Sequence, residues 1–184
     1  GNIYYANLND YIYNLGGDLS KTFELFEQKQ VIKAGYNFQV KDRLFNARPF
    51  SIILPSDNPA LRALDPANIF ALQNFGNTPG LFQIDELTGI YYRYLANSIL
   101  NAGYLQFDNA INHWLRFVWG VRFENFDQLV GSTQKTDPRY NYSKTTDFLP
   151  AFNATIKLNY QTNLRASVSQ TIVRPEFREL TGTA

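Results

Sequence analysis

Leu115–Phe123 reads LRFVWGVRF, and the alternation within it decides the fold class. Leu115, Phe117, Trp119, Val121 and Phe123 fall on one parity, whereas Arg116, Val118, Gly120, Arg122 and the following Glu124 fall on the other. Side chains on a strand alternate between faces, so this stretch predicts a strand with one wholly apolar, aromatic face and one charged, glycine-bearing face. The same code recurs on both sides. Phe152, Ala154, Ile156, Leu158 and Tyr160 oppose Asn153, Thr155, Lys157 and Asn159, and Leu164, Ala166 and Val168 oppose Arg165, Ser167 and Ser169. Further back, Ile32, Ala34, Tyr36, Phe38 and Val40 oppose Lys33, Gly35, Asn37 and Gln39.

Composition sets the frame for that code. The 184 residues are 45% hydrophobic and 16% aromatic, yet no apolar run approaches the roughly 18 residues of a spanning helix. Alternation is how a membrane β-barrel carries its hydrophobicity without such runs. The chain has no cysteine, so thiol catalysis, thiolate metal sites and disulfides are excluded together. A net charge of +1 without a basic cluster gives no reason to expect nucleic acid as a partner. The opening GNIYYANLND has no signal-peptide character and reads as mature or internal sequence.

Six strands are expected, at Phe23–Val40, Arg43–Leu54, Tyr91–Phe107, Trp114–Gly131, Asp147–Tyr160 and Leu164–Arg174. Their connections alternate between short (Lys41–Asp42, Asp108–His113, Gln161–Asn163) and long (Pro55–Ile90, Ser132–Thr146). Short periplasmic turns alternating with long extracellular loops are the pattern of an outer-membrane barrel. The tyrosine-rich IYYANLNDYIYNLGGD before Phe23 has no clean period and is left open as a strand end or an external loop. A soluble lipocalin-like barrel fits poorly, because strands this long exceed the usual five or so residues and overshoot the bilayer. Trp114, Tyr104, Phe107 and Tyr160 are expected near the periplasmic interface as an aromatic girdle.

No catalytic constellation is visible, and the chain reads as a non-enzyme with no cofactor or metal. The single histidine, His113, lies in a short turn beside Trp114, and Asp85 with Glu86 are adjacent loop acids. Candidate function therefore rests on the polar strand face and the long loops. Arg116, Arg122, Glu124, Lys157 and Arg165 are expected to face the lumen, and Leu115, Phe117, Trp119, Val121, Phe123, Ile156 and Leu158 the lipid. In the loops, Phe70 and Phe75 belong to an apolar set with Leu61, Leu64, Ile69 and Leu72, and Asp65–Asn74 is expected to form a short helix with Asp65 as N-cap and Pro66 at its first position. Arg139, Tyr140 and Tyr142 offer a candidate solute-recognition surface on the second loop.

The end of the chain carries a resemblance. DFLPAFNATIKLNY, a tight turn, and LRASVSQTIVRPEFREL together resemble the strand, turn, strand and RPxFREL signature late in the barrels of TonB-dependent outer-membrane receptors. YLANSILNAGYLQFDNAINHWLRFVWGVRFENFDQLVGS and QVIKAGYNFQVKDRLFNARPFSI resemble further hairpins of that barrel. The resemblance implies an antiparallel transmembrane β-barrel segment, about six strands of a barrel of about 22, in the outer membrane of a Gram-negative bacterium. It also implies a bulky solute (siderophore, oligosaccharide or peptide) taken up past a plug domain, with energy from a TonB complex that contacts regions absent here. The implied partners are outer-membrane lipid and the rest of the barrel with its plug, with a surface lipoprotein or larger envelope complex as a further candidate. Residues 1–184 are then expected to be a partial barrel domain, since so few strands cannot close at that curvature. The alternatives are a structural or adhesive barrel that binds another protein through its loops, and a small eight-stranded barrel. In RPEFREL, Pro175 is expected to end regular pairing and Glu176, Arg178 and Glu179 to form a charge cluster at the outer rim, with TGTA following.

Overall fold

A computed structural model describes residues 2–25 and 27–181. The chain is an all-β antiparallel assembly whose strands follow the sequence across one sheet: β1 (Asn2–Leu25), β2 (Gln28–Ile53), β4 (Arg93–Ala110), β5 (Leu115–Gly131), β6 (Asn141–Lys157) and β7 (Asn163–Ser169), with the short β3 (Gln83–Glu86) paired to β2. A four-residue helix, α1 (Pro59–Arg62), lies in the connection after β2.

Two compact units are present, Gly1–Asn9 with Leu44–Tyr94, and Asp10–Arg43 with Leu95–Ala184. In the first, β3 returns onto β2 in the register Phe50↔Glu86 to Ile53↔Gln83. Arg48 closes this pairing with a forked ion pair to Glu86, at 2.7 and 2.8 Å, and holds the Glu86 carboxyl below its ordinary range. Tyr5 meets Phe50 edge-on and Phe45 packs on Tyr94. The long connection is therefore more structured than the sequence suggests, because β3 satisfies part of its backbone against β2.

Asp65–Asn74 does not form the expected helix. The Asp65 carboxylate accepts from the Ala67 amide and its carbonyl accepts from Asn68, which closes a turn. Propagation stops because the Asn74 side chain takes the carbonyls of Asn68 and Ile69, leaving only the 3-10 turn Leu72–Asn74. The helix that does form is α1, capped by Asn58, whose Oδ1 accepts from Ala60 and Leu61, with Pro59 opening the first turn. Leu61 is buried there, and Phe70 and Phe75 both pack against Phe82 at ring distances of 5.3 and 5.7 Å.

In the second unit the β4–β5–β6–β7 meander keeps the expected alternation. The register runs Phe107↔Trp119↔Phe152↔Val168, placing three aromatic rings and a valine in one row across four strands on one face. Phe107 stacks on Trp119 at 4.5 Å, Phe117 meets Phe152 at 5.5 Å and Phe123 meets Phe148 at 5.1 Å. These cross-strand ring pairs stabilise the sheet beyond area burial, by roughly 0.5–1.5 kcal/mol each in general. Beyond the Phe123–Phe148 pair the same face becomes polar: Asn125 donates to Thr146 at 3.0 Å, and Asp127 receives Tyr142 and Lys144. The apolar stretch Leu115–Phe123 thus has the length of about 9–11 residues that a tilted strand needs to cross hydrocarbon, and the strands continue past it.

Four boundaries differ from expectation. Lys41 and Asp42 are not a turn, since β2 runs unbroken through them. The tyrosine-rich opening is strand β1, and the true turn falls at Glu27, whose φ is 56°; Phe26 lies outside the described residues. β6 begins at Asn141, so Tyr142 sits in a strand and not in a loop. β7 ends at Ser169, not at Arg174, and the cause is Pro150. Gln170 N–H donates to the Pro150 carbonyl at 3.0 Å, but Pro150 has no N–H to return the bond, so the ladder stops opposite it. Tyr104 also differs: its ring lies on the polar face over Gly35, away from the girdle position. Of the closing TGTA, only Thr181 lies within the described residues.

Candidate functional site

Charged groups gather on the polar face of the second unit, where alternation puts the even residues of β4 and β5 and the odd residues of β2 and β6. Arg116 forks onto Asp108, with Nε 2.7 Å from Oδ1. Arg122 Nε reaches Glu124 Oε1 at 2.6 Å, and Glu124 is 6% exposed. Arg174, arriving from beyond β7, joins Glu124 at 2.6 Å and Asp147 at 3.1 Å, with its guanidinium 4.5 Å from the Phe126 ring centre. A planar guanidinium serves two carboxylates and a ring at once, which a point charge cannot do.

Arg174 begins an inward-folded segment. Residues 170–176 leave the ladder, and Phe177–Leu180 form a 3-10 turn closed by a reciprocal cap between Glu176 and Glu179. Gln128 Nε2 donates to the Pro175 carbonyl at 3.2 Å. Phe177 is 2% exposed, with Lys41 Nζ at 5.1 Å and Arg43 Cζ at 5.2 Å from its ring centre. Both cations also hold Asp10 of β1, Arg43 at 2.5 Å and Lys41 at 3.8 Å, and Lys41 reaches Glu176 at 3.9 Å. The charged triplet Lys41–Arg43, which imitates a turn in the sequence, therefore stays in a strand because two of its charges face the acid and the ring. RPEFREL lies along the polar face and does not form a charge cluster at a rim.

The expected residues separate into groups. Arg116, Arg122 and Glu124 share the polar face and are engaged in ion pairs; Lys157 and Arg165 belong to the same face by register but are exposed. Leu115, Phe117, Trp119, Val121, Phe123 and Ile156 share the apolar face, while Leu158 falls in the turn after β6. Arg139 is committed to Asp137, with Nε–Oδ1 at 2.9 Å and Nη2–Oδ2 at 2.6 Å, and the Arg139 side chain and amide together hold the Asp137 carboxyl far below its ordinary range. Tyr142 donates to Asp127 at 2.7 Å, Tyr140 closes a backbone turn onto Asp137, and Phe70 remains over half exposed. Asp10, Lys41, Arg43, Gln128, Asp147, Arg174 and Phe177 are the members that sequence reading missed. Asp147 was accessible, since it lies on the parity of Asn153 and Lys157.

Comparisons with known proteins agree with this geometry. Residues 67–182 match the model of the outer membrane protein beta-barrel family. The chain belongs to that family and is a protein of the Gram-negative outer membrane. In structure it is similar to the ferric citrate transporter FecA in its unliganded form (TM-score 0.61, 16% identity, 91% of this chain and 21% of that one). It is also similar to the ferric-catecholate import receptor Fiu of E. coli K12 (0.55, 14%, 89% and 26%) and to the alcaligin receptor FauA of Bordetella pertussis (0.52, 14%, 86% and 20%). The chain thus spans about a fifth to a quarter of the length of these receptors. No curated protein sequence gives a significant match. The shared fold is that of the barrel wall of outer-membrane receptors.

Proposed function

We propose that residues 1–184 form part of the wall of a TonB-dependent receptor that binds a bulky nutrient (a siderophore, an oligosaccharide or a peptide) and imports it across the outer membrane. The observation that carries this reading is the structural likeness to a ferric citrate transporter over 91% of the chain. On this reading the aromatic face lies against lipid and the face of Arg116, Arg122 and Glu124 lines the lumen. Sheet edges at β1 and β7 would leave unpaired backbone groups in hydrocarbon, each costing several kcal/mol, so further strands complete the wall. A plug domain occupies the lumen, and its contact with the TonB complex supplies the energy. Solute is first met by the connections holding Phe70, Phe75, Arg139 and Tyr140, with Tyr142 at the adjoining end of β6. Of these, Arg139 is held by Asp137 within the same loop and Tyr142 by Asp127 of β5, which makes them supports for the loop surface, whereas Phe70 is over half exposed.

The test is uptake by cells that carry or lack the full natural protein, offered panels of siderophores, oligosaccharides and peptides. Loss of uptake of one class on deletion, with the same loss when the inner-membrane proton gradient is collapsed, is expected. Unchanged uptake of every class, with loss of binding to another protein or cell surface, would replace the receptor by an adhesive barrel.

A further inference from the structure

We propose that Gln170–Thr181 is a releasable strap: its ionic fastenings hold it against the polar wall, and its detachment widens the lumen next to β4 and β5. The widening rests on the reading of this face as lumenal; the release itself does not.

Among the described residues, the strap's ionic fastenings lie toward its two ends. Beyond the Gln170 bond to Pro150 it makes no strand ladder, and Val173 is 94% exposed. At one end Arg174 bridges Glu124 on β5 and Asp147 on β6; at the other Phe177 sits against Lys41 and Arg43 of β2. Between them Gln128 supplies one hydrogen bond. The wall leaves room for the strap. Ala96, Ser98 and Ala102 of β4 face the same side, are small and buried, and pair in register with Val130, Gln128 and Glu124.

What distinguishes a releasable strap from a permanent weld is the fate of the charges when it leaves. Removing one partner of a buried ion pair is normally very costly, because the other charge stays buried and alone. Here each wall charge keeps a second partner. Glu124 retains Arg122 at 2.6 Å, Asp147 retains the Thr145 hydroxyl at 3.3 Å, and Lys41 and Arg43 retain Asp10. Arg174 and Glu176 leave with the strap into water. Detachment therefore leaves every wall charge with a partner and uncovers the Phe177 ring and the face of Phe126 beneath Arg174, so the bound and released arrangements can exchange as a switch requires.

The experiment uses the full natural protein, purified and folded, with Thr181→Cys as its single cysteine and an impermeant maleimide as probe. Thr181 is 7% exposed, so a docked strap protects this position. Labelling is expected to be at least about tenfold slower than at Lys135→Cys on the exposed loop, to accelerate about tenfold with Glu124→Gln plus Asp147→Asn, to accelerate less with Arg174→Lys, and to rise with added salt. Heat-modifiability on gels is expected to persist, which separates strap release from barrel unfolding. Labelling as fast as at Lys135→Cys, or indifferent to both charge removal and salt, would overturn the proposal. Should the double variant lose heat-modifiability, the salt titration on otherwise unaltered protein decides: no acceleration overturns the strap. Uptake is measured separately, so a strap that releases as expected in a protein that imports nothing would count against the receptor and not against the strap.

Discussion

The ring of Tyr104 on β4 lies over Gly35 on β2, so close that a Cβ at Gly35 would collide with the ring, and Lys33 Nζ stands 5.9 Å from the ring centre on the same side. A glycine leaves a hole in a sheet surface, and an aromatic side chain from the neighbouring strand fills it. Gly35→Ala is expected to destabilise the barrel by about 1–3 kcal/mol through overpacking. Tyr104→Ala is expected to cost a similar amount by emptying the site, and the double variant less than the sum, because the alanine then occupies space that the ring has left. Denaturant unfolding of the three variants in detergent measures this; strict additivity would mean that the two residues do not share the site.

With the aromatic face against lipid, as proposed, the boundary falls at the step from Phe123–Phe148 to Asn125–Thr146. Trp119→Arg, inside the aromatic row, is expected to cost about 2–4 kcal/mol, and Asn125→Arg, beyond it, about 0–1 kcal/mol. Refolding into lipid vesicles reads both. Equal costs would displace the bilayer from Leu115–Phe123. Gly120→Ser is not a mild control for this comparison, since a Cβ at Gly120 would meet the Leu105 carbonyl at 2.5 Å, a backbone atom that cannot move aside.

Sidedness follows from the alternation of connections. Cysteines at Asn77 and Lys135 are expected to label on intact cells with an impermeant reagent, and cysteines at Glu27 and Tyr160 only after the outer membrane is breached. The reverse pattern would invert the topology.

The parts of this structure that were legible in the sequence are those in which one residue parity is apolar and the other polar. β5 and β6 show this over most of their length, and their register follows from it. β1 escaped because Asn7 and Asn9 interrupt the parity of Ile3, Tyr5, Tyr11 and Leu15, and because Gly16–Gly17 resembles a turn where the structure has an extended strand. Lys41–Asp42–Arg43 misled for a related reason. Adjacent charges signal a loop only when nothing waits to pair with them, and the waiting groups, Asp10, Phe177 and Asn97, lie far away along the chain. Lys157 and Arg165 share by register the face of Arg116 and Glu124, but parity alone does not show which charges pair, and the network centres on Glu124 and Arg174.

On the proposed reading this chain is wall and not a complete barrel. Gly1–Ala184, exported with an added signal sequence and analysed by semi-native electrophoresis and vesicle conductance, tests it most directly. With β1 and β7 unpaired at its edges, the segment is expected to aggregate or to associate into larger species, with no protease-resistant, heat-modifiable monomer and no discrete pore. A monodisperse, heat-modifiable, pore-forming species of 21.2 kDa would contradict the account and identify a small self-closed barrel.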